Sequence, residues 1–556
     1  MNTTHTRVVA ILTTLIFLSL SALYCIYVDR QIADVFFEAQ FLHYEFLKEL
    51  LDGHLTARGF FTVFGEHMFP GYNIILALNV IFFRIWGGFD SVVYGFFLIL
   101  GAGIVVYRTY IDVSWSPMIR ILGSALISLL LLSAIHNPMW GMALSAAGGV
   151  CIFIICVHIL ITALWGTRSL FWFYLLSPIA LILFLGGYGI GAIGAFSLVL
   201  LIRAIEIKKI NKSSLWIGVS IVATVAAYIA ITSHYSDMAA NTPTGGAHDI
   251  SLMAKFAVVM TGASLLGKSF YEQGSGMLIY YITGFILLLA TIIAWIYILR
   301  RPRINAMFIF ALSAYSITTV LAVSIFRYRN GLEGAMGQWY AIHTHFIPIA
   351  IVWWLCELIS IRNRWKQVVL LPLLGLFVLS VVGYYADWKK SIAVPEYKAK
   401  FIAEAPIILA FPNTIENKKD MMQTMLWYYP QVKETIDLMY QHHLWIFKST
   451  AIAIRGLTFD NWIEAERPVS IMCPSGTRSI SFKLWRKEKW VPSEVAIRVA
   501  DRVRYYAANS DISISFDKNQ PALLMIDARG LEESNPVTTP PDLRKLVAIM
   551  SEAKCH

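Results

Sequence analysis

The long apolar runs of this chain constrain its fold more than any other feature. They follow one another closely between residues 8 and 386, and several reach about 18 residues, the length typical of a helix that crosses a membrane. Of the 556 residues, 57% are hydrophobic and 14% are charged, whereas soluble proteins carry about 25% charged residues. The first run, Val8 to Val28, is long for a signal peptide and lacks a convincing cleavage site, which favours a retained helix. The sequence therefore predicts a polytopic α-helical membrane protein embedded in the lipid bilayer.

The positions of the basic residues predict the topology. The net charge is +10, but lysine and arginine stand in small clusters between apolar runs, where they orient membrane helices, so no nucleic-acid partner is expected. The clusters are at residues 108–120, 168, 203–212, 300–303 and 362–366. If all are cytoplasmic, the runs form single spans at 8–28, 91–108 and 367–386 and hairpins at 120–164, 169–203, 214–299 and 305–361. The result is about eleven transmembrane helices, with the N-terminus in the cytoplasm and residue 387 onward outside.

Two further apolar stretches, residues 71–88 and Ile250–Leu266, do not fit this topology as spans. Either one, if it crossed alone, would reverse the side of every basic cluster that follows it. We therefore expect both to lie at the outer surface, with one face buried at the interface, or to re-enter the membrane. Residues 29–90 then form a first outer loop with surface-lying helices, within a transmembrane domain of residues 1–386.

Residues 387–556 have a mixed composition that predicts a soluble extracytoplasmic domain of mixed α/β type. Residues 395–445 look helical, and later segments alternate apolar and polar residues as strands do. The predicted strands, which favour a β-sandwich, are Ser479 to Leu484, Val495 to Val499, Asp511 to Phe516 and Ala522 to Ile526. Cys473 and Cys555 fall in this part and could form a disulfide if it is extracytoplasmic. The other four cysteines lie in apolar runs and lack metal-ligand spacing.

Polar residues on the predicted outer side are the functional candidates, because polar groups at a membrane are costly and often have a role. In the first outer loop, Glu66 and His67 stand between apolar residues, and a carboxylate there could act as a general base. The alternative is a solvated loop with ordinary charges, and we favour this interpretation for Glu49 considered alone. The same loop also holds Asp29, Glu45 and Asp52.

Two predicted outer turns follow along the chain. His136, Asn137 and Trp140 belong to a proline-containing turn between two spans, where an interfacial tryptophan is common in any case. The glycine run 186–191 contains Tyr188. It either forms a tight hairpin turn or lets a lipid or sugar approach the backbone closely.

Arg327 and Arg329 fall on the predicted outer side, whereas basic residues are usually found on the inner side. Their position therefore requires a functional explanation. Arginine suits planar, bidentate recognition of phosphate, and aromatic residues 339–340 follow, so a lipid phosphate or sugar phosphate is a fitting partner. Non-specific binding of lipid headgroups is the alternative. His343 and His345, two residues apart, are weak evidence for zinc, so no metal site is assigned and a divalent cation is left open as a cofactor.

These four places, in this order, resemble a known family of membrane enzymes. The first loop reads Asp52-Gly53-His54-Leu55 and then Phe64-Gly65-Glu66-His67, the segment Ser133 to Trp140 contains an Asn-x-x-Trp turn, and the last place runs from Arg327 to Tyr340. The pattern is similar to that of the polyprenyl-phosphate-sugar-dependent glycosyltransferases of the GT-C fold, especially bacterial serotype-converting O-antigen glucosyltransferases.

The likeness covers the membrane part of the chain and rests on the order of the motifs more than on a strict signature. Many relatives have a pair of acidic residues early in the first loop, whereas residues 41–45 contain no such pair. Trp339 also stands where an arginine is usual. These departures leave the identity of the catalytic base open, and the C-terminal domain lies outside the likeness.

The resemblance implies an inverting transfer of a hexose, such as glucose, from polyprenyl phosphate to a hydroxyl of an outward-facing glycan such as the O-antigen of lipopolysaccharide. The enzyme would lie in a bacterial inner membrane, with its C-terminal domain in the periplasm, and would depend on a donor synthase and a flippase. Glu66 would be the base, with Asp29, Glu45 and Asp52 as alternatives, and Arg327 and Arg329 would bind the donor phosphate. The residues expected to bind substrates are His67, His136, Asn137, Trp140, Tyr188, Trp339, Tyr340 and His343.

Two other functions fit the same features. A lipid-linked sugar flippase or another transporter would also span the membrane many times, but transporters often show inverted repeats and charges at the midplane. Here no repeat is found and the candidate charges gather at one surface, which favours surface chemistry. An O-antigen ligase or polymerase would also use outer arginines but would take a diphosphate donor. The sequence leaves open the sugar, the acceptor, the linkage, the role of the C-terminal domain and the oligomeric state.

Overall fold

The computed structural model describes most of the helical part of the chain and the strands of the C-terminal part. The described residues are 15, 19, 23, 43–64, 67–85, 87–110, 115–133, 148–165, 171–207, 212–235, 249–361, 366–391, 432–444, 453–455, 457, 462–464, 469–473, 477–485, 494–499, 502–507, 510–516, 523–526 and 546–556. The chain forms two compact units. The first comprises residues 1–33, 45–79 and 87–394, and the second comprises residues 34–44, 80–86 and 395–556.

Helices dominate the described residues up to Ser391, because a helix satisfies its backbone polar groups internally and apolar side chains can then face lipid. They are α1 Tyr44–Leu51, α2 Ala57–Phe60, α3 Pro70–Phe83, α4 Gly87–Tyr110, α5 Pro117–Leu131, α6 Gly149–Trp165, α7 Phe171–Leu185, α8 Tyr188–Ile207, α9 Lys212–Tyr235, α10 Ile250–Glu272, α11 Met277–Arg300, α12 Ile304–Arg327, α13 Gly331–Gly334, α14 Gln338–Thr344, α15 Phe346–Ile361 and α16 Lys366–Ser391. A short antiparallel hairpin, β1 Val63–Phe64 and β2 His67–Met68, precedes α3.

The described helices confirm a polytopic α-helical membrane protein. Seven of the described helical segments are long and apolar enough to cross a membrane, and five shorter apolar helices accompany them. The long segments are Tyr188–Glu206, Leu215–Thr232, Ile250–Glu272, Met277–Arg300, Ile304–Gly334, Gln338–Ile361 and Val368–Lys389. The predicted first span, residues 8–28, lies almost entirely outside the described residues, so the total of about eleven crossings stays a prediction.

Helix α10 corrects one part of the predicted topology. Ile250–Leu266 was expected at the outer surface or in a re-entrant segment, but it belongs to a 23-residue helix that packs inside the bundle. Its backbone meets that of α11 directly, because a Cβ at Gly262 would collide with the Tyr280 carbonyl and one at Gly284 with the Val258 carbonyl. Such close backbone contact through glycines is typical of helices packed within a membrane bundle. The prediction of a surface-lying helix is therefore wrong for this segment.

Helix α3 covers most of the other stretch that was predicted not to cross. Its 14 residues rise about 21 Å, less than the hydrocarbon thickness of a bilayer. Ile74, Leu78 and Ile81 are exposed on one face, while Asn73 and Asn79 are fully buried on the other. The apolar side chains therefore face away from the protein, as expected of a helix in contact with lipid, and the prediction that residues 71–88 do not cross stays a prediction.

Three of the basic clusters meet at one end of the helical unit, which we call the basic end. Arg303 forms an ion pair with the fully buried Glu357, which also accepts a hydrogen bond of 2.7 Å from Trp115 Nε1. Arg108 Nη1 donates to Asn305 Oδ1 at 3.4 Å, and the Arg203 guanidinium lies 4.8 Å from the centre of the Trp165 ring. The partners compensate the cost of burying the charges of Glu357 and Arg108. The clusters at 108–120, 203–212 and 300–303 thus share one end of the bundle.

The described strands of the second unit form two antiparallel sheets that enclose one core. The strands are β3 Ala453–Arg455, β4 Trp462–Glu464, β5 Val469–Met472, β6 Ser479–Trp485, β7 Glu494–Val499, β8 Arg502–Ala507, β9 Asp511–Ser515, β10 Leu523–Ile526 and β11 Leu546–Cys555. One sheet has the order β3-β5-β10-β7-β8 and the other β4-β11-β6-β9. Both contribute to the core, including Ile471, Ile497 and Leu524 from the first sheet and Ile480, Phe482 and Ile512 from the second.

This architecture confirms the predicted strand-containing C-terminal part. The four predicted strands correspond to β6, β7, β9 and β10, whereas β3, β4, β5, β8 and β11 were not predicted. Within the predicted helical region 395–445, the structure describes one helix, α17 Val432–Gln441, and the residues before it lie outside the described part of the chain.

A disulfide between Cys473 and Cys555 links the two sheets, as predicted. Cys473 follows β5 of the first sheet, and Cys555 ends β11 of the second, with 5.7 Å between their Cα atoms. The cross-link closes a loop of 82 residues. A cross-link over so long a loop restricts the unfolded chain strongly, so it stabilises the folded unit mainly through entropy.

We predict that Cys473→Ser lowers the free energy of unfolding of the C-terminal unit by about 2–5 kcal/mol. Thermal unfolding of the purified protein, followed with and without a reductant, measures this. The reductant should lower the transition temperature of the wild type and leave the transition of the variant unchanged. An equal effect of the reductant on both proteins would contradict the prediction.

Candidate functional site

The two candidate arginines lie at the end of the helical unit opposite to the basic end. Helix α12 begins at Ile304, beside Arg303 and the basic end, and its 24 residues rise about 36 Å to Arg327. A short 3₁₀ turn, Tyr328–Asn330, and helix α13 lead from there to Gln338, where α14 begins. We call residues 327–337 the arginine segment. Its position separates Arg327 and Arg329 from the basic clusters that orient the helices.

The side chains of the arginine segment combine cations with hydroxyl and carboxylate groups. Arg329 is exposed, its Nε donates to the Tyr328 hydroxyl at 3.1 Å, and its guanidinium lies 5.6 Å from the centre of that ring. Arg327 is partly buried. The Tyr271 hydroxyl of α10 donates to Glu333 Oε1 at 3.3 Å, which ties the segment to α10. An exposed guanidinium held beside a tyrosine is well suited to bind phosphate oxygens.

Trp339 adds an exposed aromatic surface next to the arginine segment. Its indole lies against Gly337, since a Cβ at residue 337 would approach the ring to 2.6 Å. The ring is 43% exposed and stands nearly perpendicular to Tyr340, with 5.7 Å between the ring centres. Tyr340 itself is only 6% exposed. Of the two predicted substrate-binding aromatic residues here, Trp339 is therefore the one that presents a face to a ligand.

Tyr188 and His343 meet inside the bundle, next to the middle of α12. Their rings stack with centres 4.0 Å apart and planes 18° apart. His343 is fully buried, and its Nδ1 lies 2.5 Å from the Tyr315 hydroxyl. The structure thus brings two predicted substrate-binding residues together, but inside the bundle, where His343 supports the helices that carry the site. Tyr188 remains partly exposed.

Met68 and Phe69, in the predicted first outer loop, approach the helices at Gly186. This glycine has a φ of 54°, and a Cβ there would lie 2.7 Å from the Met68 carbonyl oxygen and 2.6 Å from the Phe69 ring. Met68 belongs to β2, next to His67, whose backbone pairs with Phe64. Gly186 precedes Tyr188 by two residues, so the first loop, the glycine run and the region of His343 are neighbours. Three of the four predicted places therefore converge, although they are far apart in sequence.

Glu49 is the first-loop carboxylate with a fixed position. Its Oε2 accepts hydrogen bonds from the backbone N–H and the hydroxyl of Thr56, both at 2.8 Å. The Thr56 hydroxyl in turn accepts from the Gly59 N–H at 3.1 Å and so caps α2. These bonds give Glu49 a local structural contact, and its interpretation as an ordinary solvated charge stays a prediction. The threonine before a short helix was the available signal, but its partner stands seven residues earlier.

The other candidate acids are less defined. Glu45 and Asp52 are exposed on and just after α1. Glu66, Asp29, His136, Asn137 and Trp140 lie outside the described residues, and for His67 only the backbone is described. Their roles stay predictions. No group of three or more histidine, cysteine, aspartate or glutamate side chains that could hold a metal ion occurs among the residues that the structure describes.

Comparison with known proteins adds weak structural similarities. No protein-family model matches the chain, and no curated protein is significantly similar to it in sequence. ArnT from Cupriavidus metallidurans bound to undecaprenyl phosphate is similar with a TM-score of 0.40 and 12% identity, over 77% of this chain and 76% of that one. Apo ArnT gives a TM-score of 0.41 with 12% identity, over 77% and 75% of the two chains.

A third similarity is to the archaeal oligosaccharyltransferase AglB from Archaeoglobus fulgidus in complex with an inhibitory peptide and a dolichol-phosphate. The TM-score is 0.35 and the identity 11%, over 75% of this chain and 60% of that one. At these levels of similarity neither an activity nor a site residue is carried over to this chain. The residues of the chain itself therefore carry the functional argument.

We predict that Gly186→Ala destabilises the helical unit by about 1–2 kcal/mol or more, because alanine is strained at a positive φ and its Cβ would press on Met68 and Phe69. Gly103→Ala is the matched control, since a Cβ there meets no atom within 4 Å and alanine favours a helix. Thermal unfolding of the two purified variants measures the difference. Equal transition temperatures for both would contradict the contact at Gly186.

Proposed function

We propose that this protein is a membrane glycosyltransferase that moves a hexose from polyprenyl phosphate to a hydroxyl of an outward-facing glycan. The observation that carries the proposal is the position of Arg327 and Arg329. They stand at the end of the bundle opposite to the basic end, and the exposed ring of Trp339 follows the arginine segment in the chain. A polyprenyl-phosphate sugar joins three parts that such a site can recognise: an apolar chain, a phosphate and a sugar ring.

The charges of the site suit the departure of a phosphate. As the bond between the sugar and the phosphate oxygen breaks, the electron pair stays with the leaving polyprenyl phosphate and its negative charge grows. Cations held in place before the reaction stabilise such developing charge most effectively. In the proposal Arg327 and Arg329 hold the phosphate, and the apolar helix faces accept the polyprenyl chain. Trp339 stacks on a sugar ring, a role for which its exposed face is suited.

The acceptor hydroxyl must lose its proton as it attacks the anomeric carbon. In the proposal Glu66 takes this proton, and Asp29, Glu45 and Asp52 are the alternatives. Attack opposite to the phosphate inverts the anomeric centre. Glu49 is less suited to this role, because its Oε2 already accepts two hydrogen bonds from Thr56. It positions the loop instead.

The remaining assignments belong to the same proposal. His67, His136, Asn137, Trp140 and Tyr188 contact substrates, whereas Tyr340 and His343, both buried, act from behind the site. The protein lies in a bacterial inner membrane with its N-terminus in the cytoplasm and its C-terminal unit in the periplasm. The disulfide of that unit supports this side, since disulfides persist in oxidising compartments. The donor is a polyprenyl-phosphate hexose such as glucose, supplied by a synthase and a flippase, and the acceptor is O-antigen.

The purified protein in lipid nanodiscs, given polyprenyl-phosphate glucose and lipopolysaccharide, tests the proposal. We expect glucosylated acceptor and free polyprenyl phosphate, and a fall in kcat/KM of about 10²–10³-fold for Arg327→Ala and for Arg329→Ala. Arg301→Ala, an exposed arginine at the basic end, is the matched control and should transfer sugar at the wild-type rate.

Two results would overturn the proposal. Transfer only from a polyprenyl-diphosphate donor, with release of polyprenyl diphosphate, identifies a ligase or polymerase. Movement of the intact lipid-linked sugar across the bilayer, without release of polyprenyl phosphate, identifies a flippase.

For the base, we predict that Glu66→Gln lowers kcat about 10²–10⁴-fold, because glutamine cannot accept the proton of the acceptor hydroxyl. Single-turnover transfer measures this. Glu206→Gln, at an exposed ion pair with Arg203, is the control for loss of a carboxylate. Wild-type transfer by Glu66→Gln would show that another acid is the base, and Asp29→Asn, Glu45→Gln and Asp52→Asn would then identify it.

A further inference from the structure

A buried polar cluster lies next to the arginine segment and joins the ends of three helices. Ser269 is in the last turn of α10, Gln338 is the first residue of α14, and Asp387 is near the end of α16. Their exposed fractions are 1%, 8% and 3%. A carboxylate buried this deeply is costly unless hydrogen bonds compensate it.

The contacts in the cluster converge on one oxygen atom. Gln338 Nε2 donates to Asp387 Oδ1 at 2.6 Å, and the Ser269 hydroxyl donates to the same oxygen. Gln338 Nε2 also lies 3.4 Å from Ser269 Oγ. The neighbouring Gln273 Nε2 donates to the Ala386 carbonyl at 3.2 Å, a second link between α10 and α16. Asp387 therefore connects the start of α14 to the last turn of α10.

The backbone around the cluster is arranged for these contacts. Helix α10 bends at Gly267, which has a φ of 66°, and the Tyr280 hydroxyl donates to the Gly267 carbonyl at 2.7 Å. Gly383, one turn before Asp387, lies so close to α10 that a Cβ would collide with the Leu265 carbonyl. The bend and this close approach bring Ser269 within reach of Asp387.

The cluster and the Tyr271–Glu333 contact attach the arginine segment at two points. Gln338 follows the segment directly, and Glu333 lies within it. Ser269 and Tyr271 stand in the same last turn of α10. Both attachments therefore depend on that turn, and Asp387 is the buried group that fixes it against α16.

We propose that Asp387 is a positioning residue for the donor phosphate. It touches no substrate and acts through Gln338 and Ser269, which hold the arginine segment in the conformation that binds phosphate. This inference rests on the proposed function, because it assigns the phosphate to Arg327 and Arg329. Loosening the cluster raises the KM for the donor and changes kcat little, since the base and the acceptor site are elsewhere.

Exchanging the amide of residue 338 and the carboxylate of residue 387 tests the inference. Gln338→Glu places two carboxylates together and should raise the donor KM by about tenfold or more, the equivalent of one hydrogen bond to a charged group. The double variant Asp387→Asn/Gln338→Glu restores an amide–carboxylate pair with the roles reversed, and its KM should return to near the wild-type value. Ser380→Ala is the matched control. Ser380 is a buried serine of α16, and its hydroxyl donates to the carbonyl of Leu376 in the same helix.

Hydrogen exchange of residues 327–338 in nanodiscs provides a readout that needs no activity. We expect faster exchange in Gln338→Glu, recovery in the double variant and no change in Ser380→Ala. Should Gln338→Glu not fold, Ser269→Ala removes one donor with little change in volume and should show the same effects more weakly.

The possible failures are distinguishable. If the wild type transfers no sugar from polyprenyl phosphate, the proposed function is wrong, whatever the exchange data show. If the wild type is active but the double variant stays as impaired as Gln338→Glu, or exchange in the arginine segment does not change, Asp387 does not position the segment. An equal loss of kcat and donor affinity in all variants would mean a merely structural role.

Discussion

An unpaired charge is expensive in the hydrocarbon of a bilayer, by about 2.5–3.5 kcal/mol or more for arginine at the midplane, and this constraint organises the helical unit. Glu357 is fully buried and is accompanied by Arg303 and the indole of Trp115. Arg108 bonds to Asn305 and to His158 Nδ1 at 2.8 Å. These pairs fix one end of the bundle, and α12 leads from there to Arg327. The arginine segment is therefore distinguished by its separation from the basic clusters at the other end of α12.

Sequence reasoning succeeded where the physical rule is local. Three of the basic clusters that were assigned to one side of the membrane, 108–120, 203–212 and 300–303, share one end of the bundle among the described residues, since each stands near a helix end. Alternation of Ile480, Phe482 and Leu484 predicted β6, since neighbouring side chains of a strand point to opposite faces. The arginine pair was found because it broke the bias of the other basic residues. Each of these signals is contained within a few residues of the chain.

Sequence reasoning failed where a contact joins residues that are distant in the chain. Gly262 gives no sign in the sequence that it meets Tyr280, so the inclusion of α10 in the bundle could not be predicted. The hydrogen bond between Glu49 and Thr56 could not be predicted, because the sequence does not fix the conformation of the turn between them. The full burial of His343 and its contacts with Tyr188 and Tyr315 from two other helices were not foreseen either, and its role in binding stays a prediction. Strand β11 was missed because a change of register between Ser551 and Lys554 interrupts its alternation.

Two glycines permit close contacts at the candidate site. A side chain at residue 186 would press on the Met68 carbonyl and the Phe69 ring, so the first loop would have to shift away from the start of α8, the helix that carries Tyr188. With a side chain at residue 337, the Trp339 indole could not lie back against the backbone, and its ring would be pushed away. The first glycine brings the acidic loop to the bundle, and the second keeps an aromatic face beside the arginine segment. The position of the first loop against α8 and the position of the Trp339 ring after the arginine segment therefore each depend on the absence of a side chain.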